Sequence, residues 1–466
     1  MTVGLARVTV SAPQRRVDVA LPEHVPLAEL LPEVLRHAGE GLADDGERHG
    51  GWVLRRADGT VLVTGQALLA QGVRDGEVLH LVPARSQWPE LEYDDVVEAV
   101  ADGARRRGGA WSPGATRAVA LAGAGVPLTV GLLALAAGGP ADAAGWPAAT
   151  VVAVLLVLAG TVLSRAQGDG PAGATLGGYA LPYAAMAGAL AVSSGDPVGP
   201  VGALPWIGAP ELLAGSVALL LGSVLGLLGV ATRLRVFVAG VVVGAAGAPA
   251  AVGGMLLGPA GAAAVLLCVL AFAIGAIPLL AIRLGKVPLP PVTLPSGAPD
   301  DPDRARDLPD RGRVYAAVTR TEEMLSGMLI GHGVLAVGAA VLLGVAGATA
   351  GRLLVGVTSA VLLLRARVFA AVRHRVPPVL AGLAGYAVLG GALAGAGGAP
   401  GRLALVAGGL LLALLVVAGG TTYARRPVSP YVGRVADLTD TVLVVSVVPT
   451  ACAVLGLYER ARGLLG

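Results

Sequence analysis

Charge is scarce in this sequence: 14% of its 466 residues are Asp, Glu, Lys or Arg, against 55% hydrophobic, and the mean hydropathy is +0.74. That excludes an ordinary soluble globular protein, which cannot hide so much apolar surface. Lysine is almost missing, with Lys286 the single one and Arg supplying the other basic residues. The net charge of +3 and the pI near 9.1 thus reflect a composition rich in Arg, Ala and Gly, typical of GC-rich coding DNA, more than a binding function. The two cysteines, Cys268 and Cys452, have no CxxC spacing and no flanking His, and read as free buried thiols.

Catalytic motifs are lacking too. Val287 follows the sole Lys, so no GxxxxGK[ST] loop exists, nor any HExxH or GxSxG, and ATP hydrolysis is excluded. Gly168 to Gly173 spells GxGxxG but joins two apolar runs instead of a strand and a helix, and among 70 glycines chance explains it. His332, between Gly331 and Gly333, has no carboxylate nearby and reads as a packing residue, not a proton relay. Asp437 and Asp440, one turn apart and within reach of Arg434, suit the positive end of a helix dipole better than an ion path. No enzyme activity, cofactor or metal is expected.

What is present is a run of apolar segments, each long enough to cross about 30 Å of hydrocarbon as a helix with its backbone satisfied internally. The spans are expected near 118–139, 147–163, 174–192, 212–230, 236–257, 260–282, 327–348, 353–364, 376–393, 403–420 and 435–457. That is an α-helical polytopic membrane protein of about eleven transmembrane helices. The small-xxx-small pairs Gly222/Gly226 and Gly240/Gly244 permit close helix contacts. Between the sixth and seventh spans, 283–326 is rich in proline and mixed charge and reads as a cytoplasmic loop, with Thr319 and Glu322 spaced as a capping box where helix resumes.

The first 85 residues differ in kind. Val3 to Val10 and Arg16 to Leu21 alternate around the turn Ser11-Ala12-Pro13-Gln14, a hairpin. Pro26 to Ala38 has helical spacing of Leu27, Leu30, Leu31, Val34 and Leu35. Trp52 to Arg56, a short Val61 to Val63, and Glu77 to Val82 supply further strands. One helix across a mixed sheet is an α+β β-grasp architecture, and Gly72-Val73-Arg74-Asp75-Gly76 before the last strand resembles the ubiquitin family. With no Lys and no Gly-Gly tail, 1–85 reads as a docking module and not a conjugated tag. Met1 to Gln14 is no secretory signal, because Arg7 interrupts its apolar stretch and Arg15 and Arg16 follow at once, so this domain is expected in the cytoplasm.

Residues 86–117 read as an amphipathic linker helix. Arg105, Arg106 and Arg107 with Trp111 are expected to anchor it at the membrane interface instead of binding nucleic acid. With the N-terminus inside, about seventeen basic residues fall on the inner side, among them Arg233, Arg235, Arg365, Arg367, Arg425 and Arg426, against four outside. The odd count puts the C-terminus outside. The weakest span is 353–364, which needs Arg365 and Arg367 to snorkel toward the interface.

The whole arrangement, 1–85, 86–117, six spans over 118–282, a loop over 283–326 and five spans over 327–466, resembles the EccD family of type VII secretion. The residues that carry the likeness are Tyr93, Asp94 and Asp95 with Trp111, and Ser429, Pro430, Gly433, Arg434, Asp437, Pro449, Gly456, Leu457 and Tyr458. The resemblance implies a non-catalytic channel or scaffold subunit in the cell membrane that pairs with a second copy around a lipid-filled space. It further implies that the soluble domain docks near a cytosolic ATPase and other secretion subunits. The competing reading from the residues is a secondary transporter with a cytoplasmic regulatory domain.

Overall fold

The computed structural model describes residues 4–13, 15–39, 42, 51–84, 111–286, 311–425 and 429–465. The chain divides into two compact units, 1–112 and 113–466.

In the first unit, strands β1 (Leu5–Ser11) and β2 (Arg16–Pro22) pair antiparallel, helix α1 (Leu27–Ala38) follows, and β3 (Trp52–Arg56) and β4 (Val78–Pro83) complete a sheet of order β2-β1-β4-β3. β1 lies parallel to β4, and β4 antiparallel to β3. The two-residue period of the strands sets one face inward: Ala6, Val8 and Val10, Trp52 and Leu54, Leu79 and Leu81 are buried. Leu27, Leu30, Val34 and Ala38 of α1 cover them, at the i, i+3, i+7 spacing of one helix face. Each large side chain buried this way stabilises the unit by about 1.5–3 kcal/mol.

The expected strand at Val61 to Val63 reduces to an isolated bridge between Arg55 and Val61. Its pairing is taken over by a side chain. The amide of Gln71 accepts from the N–H of Val63 at 2.7 Å and donates to the Val63 carbonyl at 3.0 Å, satisfying the groups a neighbouring strand would hold. The 72–76 motif is equally local in purpose. Asp75 accepts from Arg7 N–H at 2.6 Å, and Gly76, at φ +81°, donates to the Arg7 carbonyl at 2.7 Å, which seats β4 beside β1.

The second unit is helical: α2 (Pro113–Gly138), α3 (Gly145–Arg165), α4 (Gly170–Val192), α5 (Ala209–Gly229), α6 (Arg235–Ala273), α7 (Ile277–Gly285), α8 (Arg311–Ala346), α9 (Thr349–Arg365), α10 (Val372–Ala396), α11 (Ala399–Arg425), α12 (Pro430–Val454) and α13 (Leu457–Leu465). Ten helices among the described residues are long and apolar enough to cross a membrane. One of them folds back on itself. The 39 residues of α6 would measure about 58 Å if straight, twice the hydrocarbon thickness. At Gly258 (φ 72°, ψ 165°) the chain turns back, so that the Cβ of Ala262 lies 3.6 Å from where a Cβ on Gly253 would be. A straight helix would hold those residues more than 10 Å apart. Two antiparallel arms result, 235–257 and 259–273, and the shorter second arm is followed by α7.

Helix α8 corrects the reading of 283–326 as loop. α7 continues to Gly285, and α8 is already helical from Arg311, eight residues before the Thr319–Glu322 pair. Glu322 does not cap a helix start, because its carboxylate is engaged by Arg373. The 36 residues of α8 measure about 54 Å, so its leading turns extend well beyond the apolar layer.

The short span, α9, has 17 residues and runs through the main core, with Leu354, Val355, Val361 and Leu362 buried beside α8, α12 and the second arm of α6. Small residues let the helices meet: a Cβ on Gly382 of α10 would lie 2.9 Å from the Ser359 carbonyl, and one on Gly244 of α6 2.7 Å from the Ser216 carbonyl of α5. Gly222 faces Ala184, Gly226 faces Phe237 and Gly240 faces Ser223, so both small-xxx-small pairs sit at helix contacts. In contrast, α11 has no buried residue, and Leu403, Val406, Leu410, Leu414 and Val417 are exposed around it. A helix apolar on all sides belongs in lipid or against other apolar helices.

Candidate functional site

The helical unit concentrates its ion pairs at one end. Counting crossings from the start of α2, that same end holds the end of α3, the start of α4, the end of α5, the start of α6, the leading part of α8, the end of α9 and the starts of α10 and α12. Among the described residues, every ion pair between helices lies there.

Arg365, ending α9, reaches α12 and α6 together. Its Nε is 3.3 Å from both carboxylate oxygens of Asp440, and Nη1 donates to the Ala271 carbonyl at 2.9 Å. Two residues on, Arg367 pairs with Asp437 and donates to the Gly433 carbonyl at 3.4 Å. Asp437 and Asp440 sit three apart and so share a helix face. Their partners are therefore Arg365 and Arg367, not Arg434 as the sequence alone indicates. The first pair is the better protected, at 22% and 20% exposure against 31% and 73%, and carries more of the stabilisation.

Similar links join the other helices. Arg373 of α10 pairs with Glu322 of α8, and Glu323 of α8 accepts from the Arg235 N–H at 3.2 Å with the guanidinium 4.0 Å away. Arg117 of α2 pairs with Asp169, which also caps α4 by accepting from Ala172 N–H at 2.9 Å. That cap is the content of the GxGxxG stretch, whose Gly173 lets α4 approach Gly160 of α3. Arg165 donates to the carbonyls of Gly229 and Leu228 at 2.9 Å each, closing the exposed end of α5. These are salt links that hold helix ends in register.

The remaining sequence candidates are dispersed. Trp111 is exposed before α2, Arg233 has φ 45° in the turn between α5 and α6, and Arg425 ends α11. Ser429 and Pro430 start α12, Pro449 lies inside it, and Gly456 at φ 67° ends it before Leu457 and Tyr458 open α13. Arg434 is exposed on α12. Tyr93, Asp94, Asp95, Arg105, Arg106, Arg107 and Arg426, and the expected linker helix, lie outside the described residues. His332 is buried, its Nε2 donating to the Leu270 carbonyl at 2.9 Å and its Nδ1 without a partner. Both cysteines are free, and no group of three or more His, Cys, Asp or Glu is placed to hold a metal among the described residues.

Residues 116–464 match the EccD-like transmembrane domain, three quarters of the chain. The chain belongs to the EccD family. Ahead of that domain, residues 5–81 match YukD, a protein of the WXG100 protein secretion system, so the EccD helices follow a ubiquitin-like domain. Among curated relatives, the ESX-4 secretion system protein eccD4 of two Mycobacterium tuberculosis strains is 34% identical over 197 residues, 41% of this chain and 42% of theirs. The match thus spans less than half the length of those relatives. Two solved structures share the fold. Protomer 1 of the ESX-3 core complex has a TM-score of 0.58 and 21% identity, over 98% of this chain and 100% of that one. The MycP5-free ESX-5 inner membrane complex in State II has a TM-score of 0.54 and 23% identity, over 90% and 99%.

Proposed function

We propose that this EccD-family protein is a non-catalytic channel or scaffold subunit of a type VII secretion machine in the cell membrane. The observation that carries the reading is the division of labour along the helices. Charged pairs bind the helix ends together, while the depth of the bundle is mainly Gly, Ala and aliphatic side chains with isolated polar groups such as His332 and Thr358, which offers packing and no chain of ionisable groups. Such a bundle does no work on its own, and the energy for export comes from a partner. The exposed helix α11 suits association with a second copy or with other membrane subunits.

On this reading the N-terminal unit is cytoplasmic, the C-terminus is outside, and the ubiquitin-like domain docks the cytosolic ATPase. Its outer sheet face supplies a surface: the register aligns Arg16, Ser11, His80 and Arg55 in one row across all four strands, a basic strip for an acidic partner. The test is co-purification. Deleting residues 1–84 is expected to leave membrane insertion intact and to abolish recovery of the ATPase, and Arg16→Glu with Arg55→Glu is expected to weaken it. Undiminished recovery after the deletion would refute docking through this domain.

A further inference from the structure

We propose that the groove between α8 and α10 is a binding site for one anionic phospholipid, its headgroup held by Arg235 and Arg373. The groove encloses about 700 Å³. Arg235 and Arg373 stand at its mouth, Gly333 and Pro377 flank it below, and Val337 and Ala384 line its inner end. From Arg373 to Ala384 is eleven residues of helix, about 16 Å. That is half of a hydrocarbon layer about 30 Å thick, so the groove has the depth of a single leaflet. An acyl chain entering beside the guanidiniums ends near Ala384.

The mouth has the matching chemistry. Glu323 and Glu322 orient the two guanidiniums, and Arg233, Arg320 and Arg375 lie within three residues of them or of their carboxylate partners in sequence, leaving the segment net cationic. Arginine forks suit phosphate oxygens, and basic recesses between helices at the interface bind anionic headgroups. Prolines 377 and 378 add polar groups. Lacking N–H, they leave the carbonyls of Arg373 and His374 without their helical donors, at the level where a headgroup hydroxyl would sit. The wall beneath is apolar, apart from those ends.

The full chain in mild detergent, given equal amounts of phosphatidylglycerol and phosphatidylcholine with identical acyl chains, decides the matter by native mass spectrometry. Phosphatidylglycerol is expected to be retained roughly tenfold or more in preference. Arg235→Gln with Arg373→Gln is expected to abolish the preference, and Ala384→Phe, which shortens the groove and leaves the mouth intact, to reduce retention of both lipids. Equal retention by the wild-type protein overturns the proposal, as does a preference that survives in the folded double variant. If the double variant does not fold, unchanged retention by Ala384→Phe overturns it. Efficient cross-linking of Val334→Cys between two copies would mean that protein fills the groove, which also overturns it.

Discussion

The guanidinium of Arg365 meets both carboxylate oxygens of Asp440 at 3.3 Å while donating to the backbone of Ala271, so one side chain ties together α9, α12 and α6. Its partners lie 75 and 94 residues away in sequence.

A double-mutant cycle measures that tie. Arg365→Ala and Asp440→Ala are each expected to lower the melting temperature in detergent, and the double variant to be little worse than either. The coupling should fall at about 0.5–3 kcal/mol. Strictly additive losses would show the two side chains to be energetically independent. Arg434→Ala, which removes the neighbour that sequence proximity favours, is expected to change stability far less.

The reversal at Gly258 has its own test. A φ near +72° with ψ near 165° is a region open essentially to glycine alone, and a side chain there costs about 1–3 kcal/mol. Gly258→Val should lower stability measurably in a thermal melt. Gly338→Ala, in a helix with open space where the methyl would go, should be neutral or raise stability by up to about 1 kcal/mol. Equal effects of the two substitutions would deny the reversal its conformational basis.

The ubiquitin-like unit is expected to fold when residues 1–84 are expressed alone, with Trp52, whose indole donates to the Leu42 carbonyl at 2.7 Å, as fluorescent reporter. Gly76→Val should unfold it or lower its midpoint strongly, since the backbone at φ +81° excludes a branched side chain. Its acid limb has a defined contributor. The Thr60 N–H, bonded to Asp58, holds that carboxyl below its ordinary value of 3.8. The contribution is complete above that value and disappears as pH falls through the lowered one. Asp58→Asn should therefore lower stability slightly at neutral pH, where the carboxylate is ionised, and flatten the further loss below about pH 4.

Topology is measurable with reporters. On the proposed topology of eleven crossings, fusions before Trp111 and after Leu465 should report opposite sides of the membrane. Reporters on one side would require a crossing to be lost, and α9 would be the first suspect.

Much of this was legible in the sequence because it obeys local periodicity. Val8 and Val10 announce their strand by alternation, and the apolar runs announce the spans by length. The runs 236–257 and 260–282 were separable in sequence even though a continuous helical assignment joins them across Gly258. What stayed hidden depends on partners distant in sequence. Nothing near Asp440 names Arg365, nothing near Glu322 names Arg373, and nothing at Val63 indicates that a glutamine amide replaces its strand partner. The capping-box spacing at Thr319 was a true pattern in the wrong place, overridden because helix propagates through it from Arg311. The groove at Arg373 was equally invisible, since its lining comes mainly from α8 and α10, about forty residues apart in sequence.

Helix α8 carries no proline over its whole course, unlike α10 with two, and it projects past the apolar layer at its leading end. A strut of that kind behaves as a lever. Displacement imposed on its projecting turns would be delivered to Leu343 and the other core residues it buries, with no proline break along the way to absorb the movement.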